Sequence, residues 1–308
     1  MPTLPLCEVS CPVCGAEQSR VLRPASYPES ASLNELQSVY CASSDHVLFD
    51  TVVECAGCGM VHINPRLDAS LIQGGYEAVE DPVFVKQNPQ RIRTFAKTIR
   101  AILSRTGLNP AGKRLLDVGC AGGAFPAAAR DAGFQAEGIE PSRWLSEYAR
   151  KTYGLDVRQG ILERGTYPDA SFDVITLWDV IEHVPEPHEV LTTIHGMLKP
   201  DGYLWVNYPD VGSVMARALG WRWPFWLSVH LHYYTRRTMR RQLEKAGFEV
   251  CYTRPHWQQL QFGYVLQRAG SLLPPARLLA KGVSVVGLGA IPVSYNMGQT
   301  LVIAKRHD

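Results

Sequence analysis

The chain has 308 residues, 46% of them hydrophobic and 19% charged, with a formal net charge of +2 at pH 7. That length suits one large domain with a small companion, and the near-neutral balance gives no broad electrostatic case for nucleic acid. No uninterrupted apolar run reaches the roughly 18 residues of a membrane span. The opening Met1-Pro-Thr-Leu-Pro-Leu-Cys-Glu lacks the basic and apolar regions of a signal peptide, so a cytoplasmic protein with reduced thiols is expected.

Eight cysteines are present: Cys7, Cys11, Cys14, Cys41, Cys55, Cys58, Cys120 and Cys251. Four of them form the knuckles Cys11-Pro-Val-Cys14 and Cys55-Ala-Gly-Cys58, which have metal spacing. Gly15 and Gly59 follow the pairs and permit the tight turns that aim backbone N–H groups at thiolate sulfur. Four thiolates leave no open coordination position, so the expected Zn2+ is structural, with redox disulfides the competing reading. Short β-type runs, Val52-Val53-Glu54 and Met60-Val61-His62-Ile63, flank the second pair. Residues 1–66 therefore read as a small zinc ribbon, ended by Asn64-Pro65-Arg66. The stretch between the pairs is rich in proline and serine and reads as an insertion. Cys7 and Cys41 read as bystanders.

From Asp81 to Gly107 the pattern is helical, with Ile92, Phe95, Ile99, Ile102 and Leu103 at three- and four-residue spacing and Gly107 as the stop. Alternating units follow. Leu115–Val118, Ala136–Glu140, Phe172–Trp178 and Tyr203–Tyr208 read as strands, and Ala124–Asp131, Trp144–Tyr153 and Pro187–Leu198 as helices. Such alternation predicts an α/β fold with a mostly parallel sheet covered on both faces. Thr235–Ala246 reads as a helix capped by Thr235 and stopped by Gly247, with Phe248–Thr253 and Thr300–Lys305 as the last strands. The apolar segment 255–298 between them reads as an inserted helical hairpin.

The strand Leu115–Val118 runs into Asp117-Val-Gly119-Cys120-Ala121-Gly-Gly123. Glycines there let the backbone pass close to a ligand, and the following helix offers free N–H groups. The loop has no lysine, which excludes a triphosphate-binding P-loop. Glu140 follows about twenty residues on, at the end of the next strand, where a carboxylate can accept both ribose hydroxyls of a nucleoside.

These residues resemble class I S-adenosylmethionine-dependent methyltransferases. The glycine loop is similar to that family's first motif, Asp/Glu-x-Gly-x-Gly-x-Gly, with Ala121 in place of the middle glycine, a small-for-small change expected to cost little. Gly138-Ile-Glu140-Pro-Ser142, Phe172-Asp173-Val174-Ile175 and Leu198-Lys199-Pro200-Asp201-Gly202 match further motifs. The resemblance implies a Rossmann-like seven-stranded methyltransferase sheet whose last strand is antiparallel, in a domain spanning 67–308. It also implies S-adenosyl-L-methionine as cofactor. Asp117, Gly119 and Cys120 would line its methionine end, Glu140 its ribose, Gly160 and Ile161 its adenine, and Trp178 and Asp179 would lie beneath the sulfonium. Cys120 itself reads as a packing residue rather than a nucleophile.

An acceptor hydroxyl or carbon acid needs a base, and histidine suits that near neutral pH. His183, in Glu182-His183-Val184, and His232, in His230-Leu-His232-Tyr233-Tyr234, are the candidates, with Tyr233 beside the second. The second segment resembles the Glu-His-Phe/Tyr region of sugar C-methyltransferases, which also carry an N-terminal zinc-binding domain; Leu231 stands here in place of the glutamate. Tyr76 is a further pocket candidate. Ubiquinone-type O-methyltransferases share the Glu-His-Val-Pro region. The aromatic cluster Trp221, Trp223, Phe225 and Trp226 and the apolar 255–298 segment suit a sugar, glycan or lipid-linked acceptor, with peripheral contact at the inner membrane face through 255–298. The rivals are O-methylation of a quinone-like or natural-product phenol, and a non-catalytic zinc-ribbon interaction protein. Nucleic-acid methylation is disfavoured, because Trp178-Asp179-Val180-Ile181 replaces the Asn/Asp-Pro-Pro-Tyr/Phe motif.

Overall fold

The structure is a computed structural model, and it describes residues 5–27, 48–77, 79–269 and 288–307. The expected insertion between the cysteine pairs, Cys41 included, lies largely outside the described residues, as does the middle of the 255–298 segment.

The N-terminal strands are β1 (Leu6–Cys7), β2 (Ser19–Arg23), β3 (Val52–Cys55), β4 (Val61–Ile63) and β5 (Arg66–Leu67). Helices α1 (Ala69–Glu77), α2 (Pro82–Val85) and α3 (Asn88–Thr106) follow. The single helix expected from residue 81 is two. Pro89 sits in the first turn of α3, where its missing N–H costs nothing, whereas inside a continuous helix it would clash with the preceding turn. Asp81 caps α2 by accepting from Phe84 N at 2.7 Å, and Gly107 ends α3 in the left-handed conformation.

The large sheet is built by β6 (Arg114–Val118), α4 (Ala124–Asp131), β7 (Gln135–Glu140), α5 (Arg143–Tyr153), β8 (Asp156–Gln159), β9 (Phe172–Trp178), α6 (Pro187–Met197) and β10 (Leu198–Pro209). After these come α7 (Val214–Leu219), β11 (His232–Tyr233), α8 (Arg236–Lys245), β12 (Phe248–Pro255), β13 (Gln258–Gln261), α9 (Phe262–Ala269), β14 (Pro292–Tyr295) and β15 (Gln299–Arg306), of which β12 and β15 complete the large sheet. Its order is β12-β15-β10-β9-β6-β7-β8, seven strands, with β15 antiparallel to both neighbours and the other described pairs parallel. The seven-stranded sheet with an antiparallel closing strand is therefore present.

Successive side chains of a strand face opposite sides of a sheet. Leu115, Val174, Trp205 and Ile303 pack one face against Ile99, Ile102 and Phe125 of α3 and α4. Leu116, Ile175, Val206 and Tyr208 pack the other against Leu191, Met239 and Leu243, and also against Cys11, Cys55, Cys58 and Met60 of the ribbon. The ribbon thus shares the core of the large sheet. It also borrows a strand, since its own four-stranded sheet runs β11-β4-β3-β2.

The helical hairpin expected over 255–298 is corrected in its described part. β13 and β14 form an antiparallel ladder, with Gln258 opposite Tyr295, and α9 follows β13. Thr94 Oγ1 accepts from Gln259 N at 2.8 Å, so α3 supports this ribbon of chain.

Candidate active site

Chain order reverses between β6 and β9, so the crevice beyond their carboxyl ends is the natural ligand position of this sheet. A cleft of about 630 Å³ opens there, with a recess of about 60 Å³ beside the glycine loop.

The loop is shaped by its backbone. Gly119 has φ +68°, and a Cβ there would stand 2.7 Å from Val180 Cγ2, so both conformation and space require glycine. Ala121 adopts φ +45°, a left-handed conformation that costs an L-residue roughly 1 kcal/mol; its exchange for glycine is less innocent than its size suggests. Ala121 N donates to Glu140 Oε2 at 2.8 Å, and Ser142 N donates to Glu140 Oε1 at 2.9 Å. Glu140 therefore clamps the loop to β7. Burial pushes its carboxyl up to about 7. Two of its four lone-pair positions are used, which leaves acceptors for hydroxyl donors in the cleft it lines.

Asp117 lies buried at the recess, accepting from Thr176 Oγ1 at 2.6 Å, and burial pushes its carboxyl well up. Cys120 also borders the recess. Its sulfur fills the space above Gly138, where a Cβ would come within 2.5 Å of Sγ, and burial pushes the thiol well up. Thiolate character is what makes cysteine reactive, so this one packs. Gly123 caps α4 with φ +79°, a Cβ there would run into Ala149 and Leu155, and it lines neither cavity. Gly160, Ile161, Trp178 and Asp179 line the cleft with Gly119, Ala121 and Glu140. Asp179 accepts from Asn207 Nδ2 and Gln299 Nε2, each at 2.7 Å, while burial holds its carboxyl up at about 6.

His183 reaches the cleft from the loop after β9. Its Nδ1 lies 2.9 Å from the Val229 carbonyl and 2.9 Å from Tyr76 Oη. A carbonyl only accepts, so Nδ1 carries the hydrogen and Nε2 the lone pair. Burial pushes the imidazole down to about 4, which keeps it neutral near pH 7. His230 borders the same cleft, with Nδ1 2.8 Å from Phe225 O, and its ring stands 4.7 Å from that of His183. Glu182 is buried behind them with neither carboxyl oxygen hydrogen-bonded, and burial pushes it well up. Ligand atoms of Glu182, His183 and His230 lie within 4.8 Å of one another.

The structure places the other histidine candidate away from the cleft. His232 and Tyr233 form β11 and are drawn into the ribbon sheet opposite His62 and Val61. His232 Nε2 donates to Val184 O at 3.0 Å, Tyr233 Oη donates to Leu227 O at 2.8 Å, and neither residue lines the cleft. Burial, with Arg66 nearby, pushes His232 down to about 3.

Arg91 is a site residue that nothing in the sequence marks out. It sits on α3, borders both cavities, and lies over the Phe84 ring at 3.8 Å with Nε unpartnered. Its only sequence signal, an arginine between apolar helix positions, is the same as for a solvated residue. Across the cleft stand Trp221, Trp223, Phe225 and Trp226; Trp223 is fixed by donating Nε1–H to Met297 O at 2.6 Å.

In the ribbon, the four sulfurs of Cys11, Cys14, Cys55 and Cys58 lie within 4.8 Å of one another. The closest pairs, Cys11–Cys58 and Cys14–Cys55, are 3.5 Å apart, far beyond the roughly 2.05 Å of a disulfide. Gly15 N donates to Cys11 O and Gly59 N to Cys55 O, closing two matching turns. The donor set fits tetrahedral Zn2+. Among the described residues no helix is long and apolar enough to cross a membrane.

Comparisons agree with this architecture. A ubiquinone biosynthesis O-methyltransferase of Actinobacillus pleuropneumoniae is 36% identical over 106 residues, 31% of this chain and 45% of that protein. One of Xanthomonas axonopodis is 30% identical over 125 residues, 39% of this chain and 52% of that protein. The chain thus spans about half the length of the curated relatives it matches. Among solved structures, the complex between the Haloferax volcanii Trm112 methyltransferase activator and a putative methyltransferase contains a chain with TM-score 0.53 and 17% identity, covering 75% of this chain and all of that one, a likeness of fold. Residues 89–253, more than half of the chain, match the family described as "Methyltransferase domain". The chain belongs to that methyltransferase domain family.

Proposed function

We propose that the chain is an S-adenosylmethionine-dependent methyltransferase whose acceptor is an acidic hydroxyl, phenolic or enolic, on an apolar ring-bearing small molecule. The bound donor supplies a methyl group already activated by positive sulfur. The protein has to hold the two reactants in line, exclude water and take up a proton. Glu140 has spare acceptors for the ribose hydroxyls, Gly119 and Ala121 let the backbone pass close, and Arg91 borders the recess where a carboxylate tail would end. The residues fit that donor. The ribbon cysteines hold a structural Zn2+ in this reading.

The observation that carries the acceptor class is that His183 lines the same cleft as the indole wall with Nδ1–H held on Val229 O, which leaves Nε2, 4.0 Å from buried Glu182 Oε1, as the nitrogen that can take a proton. An imidazole held near 4 is a weak base. It suits a phenol, whose proton has a pKa of about 10, better than the far less acidic hydroxyl of a sugar. The methyl–sulfur bond would break as the methyl–oxygen bond forms, its electron pair returning to sulfur, and Nε2 would take the acceptor oxygen's proton. The names of the curated relatives, ubiquinone biosynthesis O-methyltransferases, point the same way.

The test is methyl-labelled S-adenosylmethionine with zinc-loaded protein and two matched acceptor sets, alkylated catechols and nucleotide sugars. Label should enter the catechols. His183→Gln should lower turnover roughly 100- to 10,000-fold with affinity for S-adenosylhomocysteine within about twofold. Label in the sugars alone, or full turnover by His183→Gln, would overturn the reading.

A further inference from the structure

We infer that Arg66 is a positioning residue: the zinc ribbon sets, through Arg66, the loop that carries His183. The inference rests on the proposed role of His183, but its test does not.

The loop 182–186 hangs on the ribbon side of the molecule. Glu182 O accepts from His232 N at 3.1 Å, and Val184 O accepts from His232 Nε2 at 3.0 Å. Pro185 O accepts from Arg66 Nη1 at 2.8 Å, and Glu186 Oε1 accepts from Arg66 Nη2 at 2.7 Å. Arg66 belongs to β5, and His232 belongs to β11, the strand that the ribbon sheet borrows. At the start of the loop, Ile181 packs in one core with Cys11, Cys55, Cys58 and Met60. Neither Arg66 nor His232 lines the cleft; their hydrogen bonds reach it through the loop. Tyr76, on the helix directly after β5, adds a contact to His183 Nδ1.

The arrangement is a poor way to gain stability. The Arg66 side chain is 5% exposed, yet its carboxylate partner, Glu186, is 61% exposed, and Arg66 Nε is buried without a partner. Burying a guanidinium against a solvated carboxylate recovers little of its desolvation cost. What the planar fork does achieve is to fix a backbone carbonyl and a side chain of one loop at once, which a lysine's point charge cannot do. Held there, His183 keeps its Nδ1–H on Val229 O and its lone pair on Nε2.

The experiment is nitrogen-15 NMR of the histidine rings in the full-length zinc-loaded protein saturated with S-adenosylhomocysteine, with the His183 signals assigned by their loss in His183→Gln. Wild type should show a single tautomer protonated at Nδ1. Arg66→Lys should give mixed or exchange-broadened tautomers and an imidazole that titrates nearer the ordinary value, while calorimetry finds affinity for S-adenosylhomocysteine within about twofold. Glu186→Gln, at an exposed position, should move the signals in the same direction by less, and serves if Arg66→Lys does not fold. Arg20→Lys, which alters an exposed ribbon ion pair with Glu54, should move nothing. A wild-type tautomer in both loop variants overturns the inference, as does loss of S-adenosylhomocysteine binding in step with the tautomer change. Should the signals shift while His183→Gln turns over normally, the base assignment fails and the positioning stands. With an acceptor in hand, Arg66→Lys should lower kcat roughly ten- to a hundredfold with no change in the KM for S-adenosylmethionine, and should cost nothing further in the His183→Gln background.

Discussion

Glu140→Gln tests how the cleft holds a nucleoside. In the free protein the carboxyl is buried, accepts two backbone N–H groups and sits at about 7. Ribose hydroxyls donate best to the ionised form, so binding draws the proton off. If only that form binds, affinity for S-adenosylhomocysteine should be about tenfold weaker at pH 6 than at pH 8. The side-chain amide of the variant would turn one N–H toward another donor and carry no charge. Losing the charge-assisted bonds should cost about 1.5–3 kcal/mol at pH 8, roughly 10- to 150-fold in Kd, and remove the pH dependence. Stability should respond in the opposite sense. A carboxyl raised in the fold contributes stability below its ordinary value of 4.5, and that contribution is lost as pH rises through about 7. Glu140→Gln should therefore gain on wild type by up to about 3 kcal/mol between those limits. Calorimetry at pH 6 and 8, with urea denaturation from pH 4.5 to 8, reads both effects. Unchanged affinity in Glu140→Gln, or a wild-type affinity flat from pH 6 to 8, would refute the reasoning.

Arg91→Met should weaken S-adenosylhomocysteine by about 1.5–3 kcal/mol but leave methylthioadenosine, which lacks the carboxylate tail, within about twofold; equal losses would remove Arg91 from the carboxylate. Gly138→Ala drives a Cβ to 2.5 Å from Cys120 Sγ and should cost about 1–3 kcal/mol in urea unfolding. Adding Cys120→Ala should recover most of that, whereas additive losses would mean the two do not touch. Metal analysis should find one zinc per chain, and Cys58→Ala should lose it with a lower melting temperature; full zinc in that variant would contradict the four-cysteine site.

The sheet was legible because its strands are apolar runs bounded by glycine, and because the loop at Gly119 and the carboxylate at Glu140 obey local rules of backbone conformation and reach. The cysteine knuckles were legible for the same reason: spacing alone sets their geometry. What sequence could not convey is which groups meet across long separations. His230-Leu-His232 looks uniform, yet His230 borders the cleft while His232 is drawn into the ribbon sheet. The borrowing of β11 depends on a ribbon some 170 residues earlier, and no local pattern announces it. Arg91 and Arg66 each looked like ordinary basic residues, and only packing separates one at a recess from one beneath a loop. The apolar content of 255–298 suggests a helical hairpin, but Gln258–Gln261 pairs with Pro292–Tyr295 as strands.

The most direct measurement is a crystal structure of the zinc-loaded protein with S-adenosylhomocysteine. Both ribose hydroxyls should lie on the Glu140 carboxylate, the amino-acid tail toward Arg91, and the sulfur facing the space between His183 and the Trp221–Trp226 wall. Ligand absent at saturating concentration, or seated with its ribose away from Glu140, would contradict it.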